Sequence, residues 1–182
     1  MEANTSSALP RWPFVLDTDK AVESVLYIVP RLAEKTLHCV AKVLYHADKL
    51  HLSRYGRPIT GDWYAKMDYG PVPSATYDIL KARRGDKKHP IPERAKALEV
   101  LDRKTVRATR AADLDVLSES EIECLKESAT NHGHKTFDER TDESHGPAWK
   151  AADLNGMIRL EHMLLEVENG DELREYFAHE DA

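Results

Sequence analysis

Nine histidines share this chain with 32 acidic residues, enough to assemble the donor set of a metal-dependent hydrolase. The donors for a zinc-like ion are His46, Asp48, His51, Asp62, His132, His134 and His145, and the chemistry would be activation of a bound water. Their spacing argues against it. His46 and His51 lie five positions apart, off the common helical face that an i, i+4 zinc pair needs, and neither an adjacent His-Asp pair nor a Cys-x-x-Cys occurs. His132 and His134 flank Gly133, where imidazoles at a helix end commonly meet the last carbonyls. Arg140 with His145 could join phosphate contact to proton transfer, as a ribonuclease requires. The same spacing recurs in Arg84 with His89 and Arg174 with His179, so it carries little information. His145, just ahead of Pro147 and Trp149, reads better as a lock on a short helix. Phosphate-binding glycine loops, nucleophile elbows and dinucleotide fingerprints are absent from the sequence. No catalytic residue, metal ligand or cofactor is assigned on these grounds.

The elements that position these residues follow from periodicity. Residues 1–16, with Ser6, Ser7, Pro10 and Pro13, show none and read as a flexible or surface-laid arm; residues 17–182 read as one domain. Asp17, Thr18 or Asp19 can cap a helix carrying Val22, Val25, Leu26 and Val29, which Pro30 ends or kinks. A second helix, capped by Thr36, aligns Leu37, Val40, Ala41, Leu44, Ala47 and His51 in one stripe and leaves His38, Lys42 and Lys49 elsewhere. Gly56 closes it, and Arg57-Pro58-Ile59-Thr60-Gly61 cannot continue it.

From Asp62 to Tyr69 the alternation predicts a strand that covers Trp63, Ala65 and Met67 and presents Tyr64, Lys66 and Asp68. Gly70-Pro71-Val72-Pro73 is expected to stop it. Ser74 then caps a helix to about Arg83, and a non-helical stretch runs from Lys87 to Pro92. Leu98 and Val100, facing Val106 and Ala108 across Asp102-Arg103-Lys104, predict a short hairpin; a helix over 93–101 competes. Ser118 with Glu121, and Thr136 with Glu139, are capping boxes, the first opening a helix from 119 to Gly133. Short helices near 148–153, 157–167 and 170–179 finish a fold that is mainly α, of the α+β class, compact and helical with a small hairpin or short-strand element.

Composition bounds the function classes. Charged residues make up 32% and hydrophobic residues 41% of 182 positions, as in an ordinary globular chain with one core. The net charge of −6 offers phosphate backbones no general attraction, which argues against a nucleic-acid partner. The one cationic cluster, Lys81, Arg83, Arg84, Lys87 and Lys88, reads as a solvated helix end. Apolar runs fall short of the ~20 residues a membrane span needs, and no signal-peptide pattern opens the chain, so a cytoplasmic protein without membrane contact is expected. Cys39 and Cys124 fit buried free thiols.

Three stretches carry a family resemblance: Lys42 to His51 (KVLYHADKLH), Tyr55 to Asp62 (YGRPITGD) and Met67 to Pro73 (MDYGPVP). They resemble the signature of the Panacea antitoxin domain, the SocA-like family. The likeness continues in Leu117 to Ile122 and Ser144 to Trp149, and covers roughly residues 20 to 152. It implies an antitoxin and not an enzyme, paired with a cognate protein toxin encoded by the adjacent gene and neutralising it by direct contact. Delivery of the toxin to a bacterial AAA+ protease stays open beside sequestration. The chain departs from the family pattern at His46, where an aromatic is usual, and at Pro30.

On this reading the hinges Gly56, Pro58, Gly61, Gly70, Pro71 and Pro73 stiffen an extended segment into a platform, with Met67, His145 and Trp149 as further structural residues. Tyr45, His46, Tyr55, Arg57, Asp62, Tyr64, Lys66 and Tyr69 are the partner-facing candidates, because aromatic and arginine side chains on rigid supports dominate interface energies. The competing reading is a metal-dependent hydrolase or nuclease of prophage origin built on the histidines and aspartates. A transcriptional autoregulator ranks third.

Overall fold

The computed structural model describes residues 9–86 and 90–179, and it is mainly α-helical with two small antiparallel sheets. Asp17 caps helix α1 (Thr18–Ile28) by accepting from the Lys20 amide. Pro30 lacks the amide to extend that ladder, and the chain passes into a single 3-10 turn over Val29–Arg31. Thr36 caps α2 (Leu37–Tyr55), which Gly56 ends in the left-handed conformation. The expected stripe of α2 is buried, but so are Cys39, Lys42, Val43, Tyr45, His46 and Asp48. The expectation that Lys42 lies outside is thus corrected. A two-faced pattern could not foresee a helix enclosed on most of its circumference.

After the loop, β1 (Tyr64–Met67) pairs with β2 (Gly70–Pro73), Tyr64 opposite Pro73 and Met67 opposite Gly70. Here three expectations are corrected. The strand is shorter than Asp62–Tyr69, and Gly70 to Pro73 forms its partner instead of stopping it. Prolines are tolerated in β2 because it is the edge of its sheet. The faces are also inverted: Tyr64 is 1% exposed and Met67 39% exposed. Alternation defines two faces without saying which is covered, and a buried acceptor for the Tyr64 hydroxyl decides it below.

Helix α3 (Ser74–Arg83) follows directly, with Pro73 at the cap position and Ser74 already helical, so Ser74 is not the cap. A 3-10 turn over Glu93–Ala97 leads into β3 (Leu98–Leu101), which pairs with β4 (Thr105–Ala108). The tight turn between them holds Asp102 and Arg103 at φ 48° and 61°, the handedness that suits twisted strands. Both capping boxes are formed, at α4 (Glu119–His132) and α5 (Phe137–Ser144). Helix α6 (Pro147–Ala151) comes next. The expected helix over 157–167 is divided: Met157–Ile158 is a strand, β5, pairing with β1, ahead of α7 (Leu160–Met163) and a 3-10 turn. Helix α8 (Gly170–His179) is the last element.

Two hydrophobic clusters meet at α2. One joins α1, α2, α3, α4 and the β3–β4 hairpin through residues such as Leu26, Val43, Leu80, Leu98 and Leu125. The other gathers Tyr45 and Leu52 of α2 with Tyr64, Ile158, Met163 and Phe177. Trp12 and Phe14 of the arm pack against this second cluster. Trp12 Nε1 donates to the Gly61 carbonyl at 3.0 Å, and the Asp17 amide to that of Thr60 at 2.8 Å. Gly61, at φ +70°, allows this close passage, since a Cβ there would collide with the Val15 carbonyl. Residues 9–16 are therefore laid on the surface, the second of the two readings the sequence left open for the arm. Residues 1–8, with Ser6 and Ser7, and Lys87, Lys88 and His89 lie outside the described residues. Among the described residues no helix is long and apolar enough to cross a membrane.

Leu44, 2% exposed between the α1 and α4 sides of the core, gives the energetic check on this arrangement. Leu44→Ala should lower unfolding free energy by about 2–5 kcal/mol in urea denaturation. A loss well under 1 kcal/mol would show that α2 is not enclosed.

Candidate partner-binding site

Asp48 and Asp62 organise the motif region from inside. Asp48, 1% exposed on α2, accepts from the Ile59 amide at 2.7 Å, the Thr60 amide and hydroxyl at 3.4 Å each, and the Tyr64 hydroxyl at 2.7 Å. Asp62, also buried, accepts from the Ala75 amide at 3.1 Å and from the Thr76 amide and hydroxyl at 2.8 Å. It thereby supplies the N-terminal acceptor that Ser74 does not. Burial pushes the Asp48 carboxyl up to about 6, against the lowering effect of Tyr64, Ile59 and Thr60. Burial likewise raises Asp62.

Several partner-facing candidates are thus corrected to interior roles. Asp62 and Tyr64 are spent on the loop and the start of α3. Tyr45 is fully buried, its ring edge-to-face with Tyr64 at 5.1 Å and its hydroxyl donating to Glu166 at 3.0 Å. His46, 7% exposed, stacks on His132 at 3.9 Å instead of facing outward. Lys66 is half-buried, donates to the Ala152 carbonyl at 2.8 Å and lies over the Trp149 ring at 4.4 Å.

The catalytic constellations are not assembled as the spacing framed them. His51 lies between the Arg57 carbonyl at 2.7 Å and the Ser120 hydroxyl at 3.0 Å. Arg140 is buried and pairs with Glu34 at 2.6 Å. His134 does meet a terminal carbonyl, that of Thr130 at 3.0 Å, whereas His132 instead reaches Glu143 at 2.8 Å. The cationic cluster is paired where it is described: Lys81 to Asp78 at 2.7 Å, Arg83 to the Leu98 carbonyl at 2.6 Å, and Arg84 to Asp86.

What remains outward is informative. Tyr69 is 62% exposed, Phe137 40% and Met67 39%, and they rim a cavity of about 310 Å³ whose wall includes Leu37, Val72 and Tyr77. Tyr69 and Phe137 meet edge-to-face at 5.3 Å, and Phe137 lies against His38 at 4.1 Å. Beneath the tip, Lys42 Nζ donates to the Pro71 carbonyl at 2.9 Å, and burial lowers that ammonium to about 7. Gly70, at φ +93°, leaves the space for it: a Cβ there would strike Ser144 Oγ and Lys42 Cε. Trp149 Nε1 donates to the Met67 carbonyl at 2.9 Å while His145 stacks on its ring at 3.8 Å, so this pair braces the hairpin tip. Tyr55 is 48% exposed, and the Arg57 side chain, 45% exposed, pairs with Glu121 at 2.8 Å.

Phe137 and Lys42 were not singled out from sequence as site residues. The Thr136–Glu139 capping box does mark Phe137 as the first helical residue, but nothing local says that this turn packs beside Tyr69. Among protein families, residues 40–150 match the model described as antitoxin SocA-like, Panacea domain. The chain belongs to this family. Comparison with curated proteins and with solved structures gives no match. In this Panacea domain the matched span runs from α2 to α6 and includes both carboxylates, the hairpin and its Trp149 brace.

The Asp48–Tyr64 contact has a definite pH signature. The folded-state value of about 6 lies above the ordinary carboxylate value of 3.8, so the native state binds the proton more tightly and this group's contribution falls as pH rises through that window. Tyr64→Phe removes a donor to the charged form. Its cost should be about 1–3 kcal/mol and larger at pH 8 than at pH 5, measured by denaturation of both proteins at each pH. A penalty independent of pH would contradict a charged carboxylate at that contact.

Proposed function

We propose that this chain is the antitoxin of a toxin–antitoxin pair, neutralising a cognate protein toxin encoded by the adjacent gene through direct, stoichiometric contact. The docking surface is the tip of the β1–β2 hairpin together with the start of α5. The observation that carries this reading is the exposure of Met67, Tyr69 and Phe137 around one apolar cavity. Contiguous apolar surface of this kind marks a contact site more often than a surface left to water. The three side chains stand on braced backbone, so little conformational entropy remains to be lost when a partner's apolar side chain enters the cavity. Family membership supports the antitoxin role, and binding requires no cofactor.

Tyr55 and Arg57 belong to a different patch. They lie at or beyond the C-terminal end of α2, whereas Phe137 packs against His38 near its N-terminal end. His38 and Tyr55 lie seventeen positions apart on the helix, which is roughly 25 Å of rise. A contact centred on the cavity reaches them only at its rim, and Arg57 is already engaged by Glu121. We therefore rank Tyr69, Phe137 and Met67 above Tyr55 and Arg57 as contact residues.

Co-expression with the neighbouring open reading frame should restore growth and give a co-purifying complex. Tyr69→Ala and Phe137→Ala should each weaken that complex by roughly tenfold or more while moving the thermal midpoint little, and Arg57→Ala should do less. A harmless neighbour or no complex defeats the antitoxin reading. Matching losses of stability in the two aromatic variants would mean that they pack the domain and are not the contact. Toxin that disappears in cells, yet persists beside purified antitoxin, would favour delivery to a AAA+ protease over holding.

A further inference from the structure

We propose that His46, His132 and Glu143 form a binding site for a divalent transition-metal ion of the zinc class, clamping α2, α4 and α5 together. Their donor atoms lie within 4.8 Å of one another, one residue from each helix. Sequence spacing could not suggest the set, since its members are separated by 86 and 11 positions. The second observation is the state of His46. It is 7% exposed, and its Nε2 is buried without a hydrogen-bond partner. A buried ring nitrogen with no partner is costly; His38 Nδ1 and His145 Nε2 share that state, but among the described residues only His46 joins two further donors within 4.8 Å, where an ion would satisfy it.

The local chemistry suits such an ion. Two imidazoles and a carboxylate are a borderline donor set that favours zinc and its first-row neighbours over calcium or magnesium. His132 Nδ1 and a Glu143 carboxylate oxygen are already within hydrogen-bond distance at 2.8 Å, the imidazole N–H donating. An ion replacing that proton needs the two donors about 3.3 Å apart, the edge of a tetrahedron with 2.0 Å bonds, so the required movement is small. The imidazoles of His46 and His132 are stacked within 12° of parallel, and binding must turn one ring to aim a nitrogen from each at the ion. A cavity of about 350 Å³, lined by both histidines, Asn131 and Glu166, opens onto the site and can supply water to the remaining coordination position.

Nearby lysines oppose the ion, Lys42 among them. Lys135 pairs with the other Glu143 oxygen at 2.6 Å, and Lys49 pairs with Glu166 at 2.5 Å on the cavity wall. Three ligands with lysines nearby set an affinity below that of a closed four-ligand structural site. The consequence is mechanical: a bound ion holds α5 against α2 and α4, and Phe137, the first residue of α5, forms part of the proposed docking surface. The site itself does not depend on that docking proposal.

The full-length protein, stripped with a chelator, should be titrated with ZnCl2 and followed by calorimetry and thermal unfolding. One zinc per chain is expected, with a rise in thermal midpoint. His132→Gln and Glu143→Gln should each weaken binding about tenfold or more and abolish the rise, while His134→Gln, two residues away, binds as the parent does. Glu143 is one-third exposed, so Glu143→Gln keeps the test open should His132→Gln fail to fold. Substitution with Co2+ should give the visible absorption of a four- or five-coordinate site. No uptake, uptake unchanged in Glu143→Gln, or equal loss in His134→Gln would overturn the proposal and leave a stacked histidine pair with no ion.

Discussion

Two carboxylates without access to water constrain most of what surrounds them. A buried carboxylate must find donors for its lone pairs or give up its charge, and Asp48 and Asp62 find theirs almost entirely between residues 59 and 76. Asp48 reaches from α2 to the backbone at Ile59 and Thr60 and to the Tyr64 hydroxyl. Asp62 reaches forward to the first turn of α3. The loop, the hairpin and the helix after it are therefore tied to α2 by directional bonds as well as by apolar contact. Once Tyr64 turns inward to meet Asp48, the two-residue period of a strand sends Met67 to the opposite face. The Tyr64–Asp48 bond, together with the packing of Tyr64 in the second cluster, thus decides which face of β1 is covered and which is exposed at the hairpin tip.

The same logic explains the enclosure of α2. A helix that buries Lys42, Asp48 and His51 must satisfy each from a neighbouring element, and each neighbour is thereby fixed in place. Lys42 donates to the Pro71 carbonyl in β2, which β2 can offer because an edge strand leaves carbonyls unpaired. His51 ties α2 to the loop at Arg57 and to Ser120 in the first turn of α4. On the far side, Glu23 of α1 plays the corresponding part. Burial alone would raise its carboxyl, but hydrogen bonds from Arg110, the Asp113 amide and Arg94 outweigh that and hold it at about 2, so the segment after β4 is anchored to α1. Polar bonds of this kind add modestly to stability and strongly to uniqueness of packing, because a shifted register would leave a buried charge unpaired.

Much of this was legible from sequence wherever the signal is local. The caps at Asp17, Thr36, Ser118 and Thr136, the stop at Gly56 and the β3–β4 hairpin all follow from side chains acting within a few residues of themselves. What was not legible depends on partners far along the chain. Alternation from Trp63 to Asp68 is symmetrical between two faces, and the Asp48 acceptor that breaks the symmetry sits 16 positions earlier. Gly70 to Pro73 reads as a breaker by composition, yet it pairs as an edge strand where missing amides do no harm. Met157 and Ile158 look helical until β1 offers them a partner. For the candidate site the division is sharper. Of the eight residues singled out as partner-facing, Tyr45, His46, Asp62 and Tyr64 are interior, because aromatic and charged side chains serve buried hydrogen bonds as readily as interfaces.

That division bears on how such a domain meets a partner. Several residues of the family signature here are spent on holding the scaffold: Lys42, Tyr45, Asp48, His51 and Asp62 are buried, and each has a hydrogen-bond partner whose loss costs folding free energy. Met67, Tyr69 and Phe137 instead leave their side chains exposed, Phe137 resting on Tyr69 and His38. A substitution at the tip alters the shape and chemistry of the surface while Asp48, Asp62 and the Trp149 brace keep the backbone beneath it in place. On the proposed docking reading, Met67 and Tyr69 lie inside the signature stretch Met67 to Pro73 while Phe137 lies outside every quoted stretch, so the contact surface is carried partly by the signature and partly by a residue it leaves out. On that same reading, specificity resides in exposed side chains whose replacement the fold tolerates.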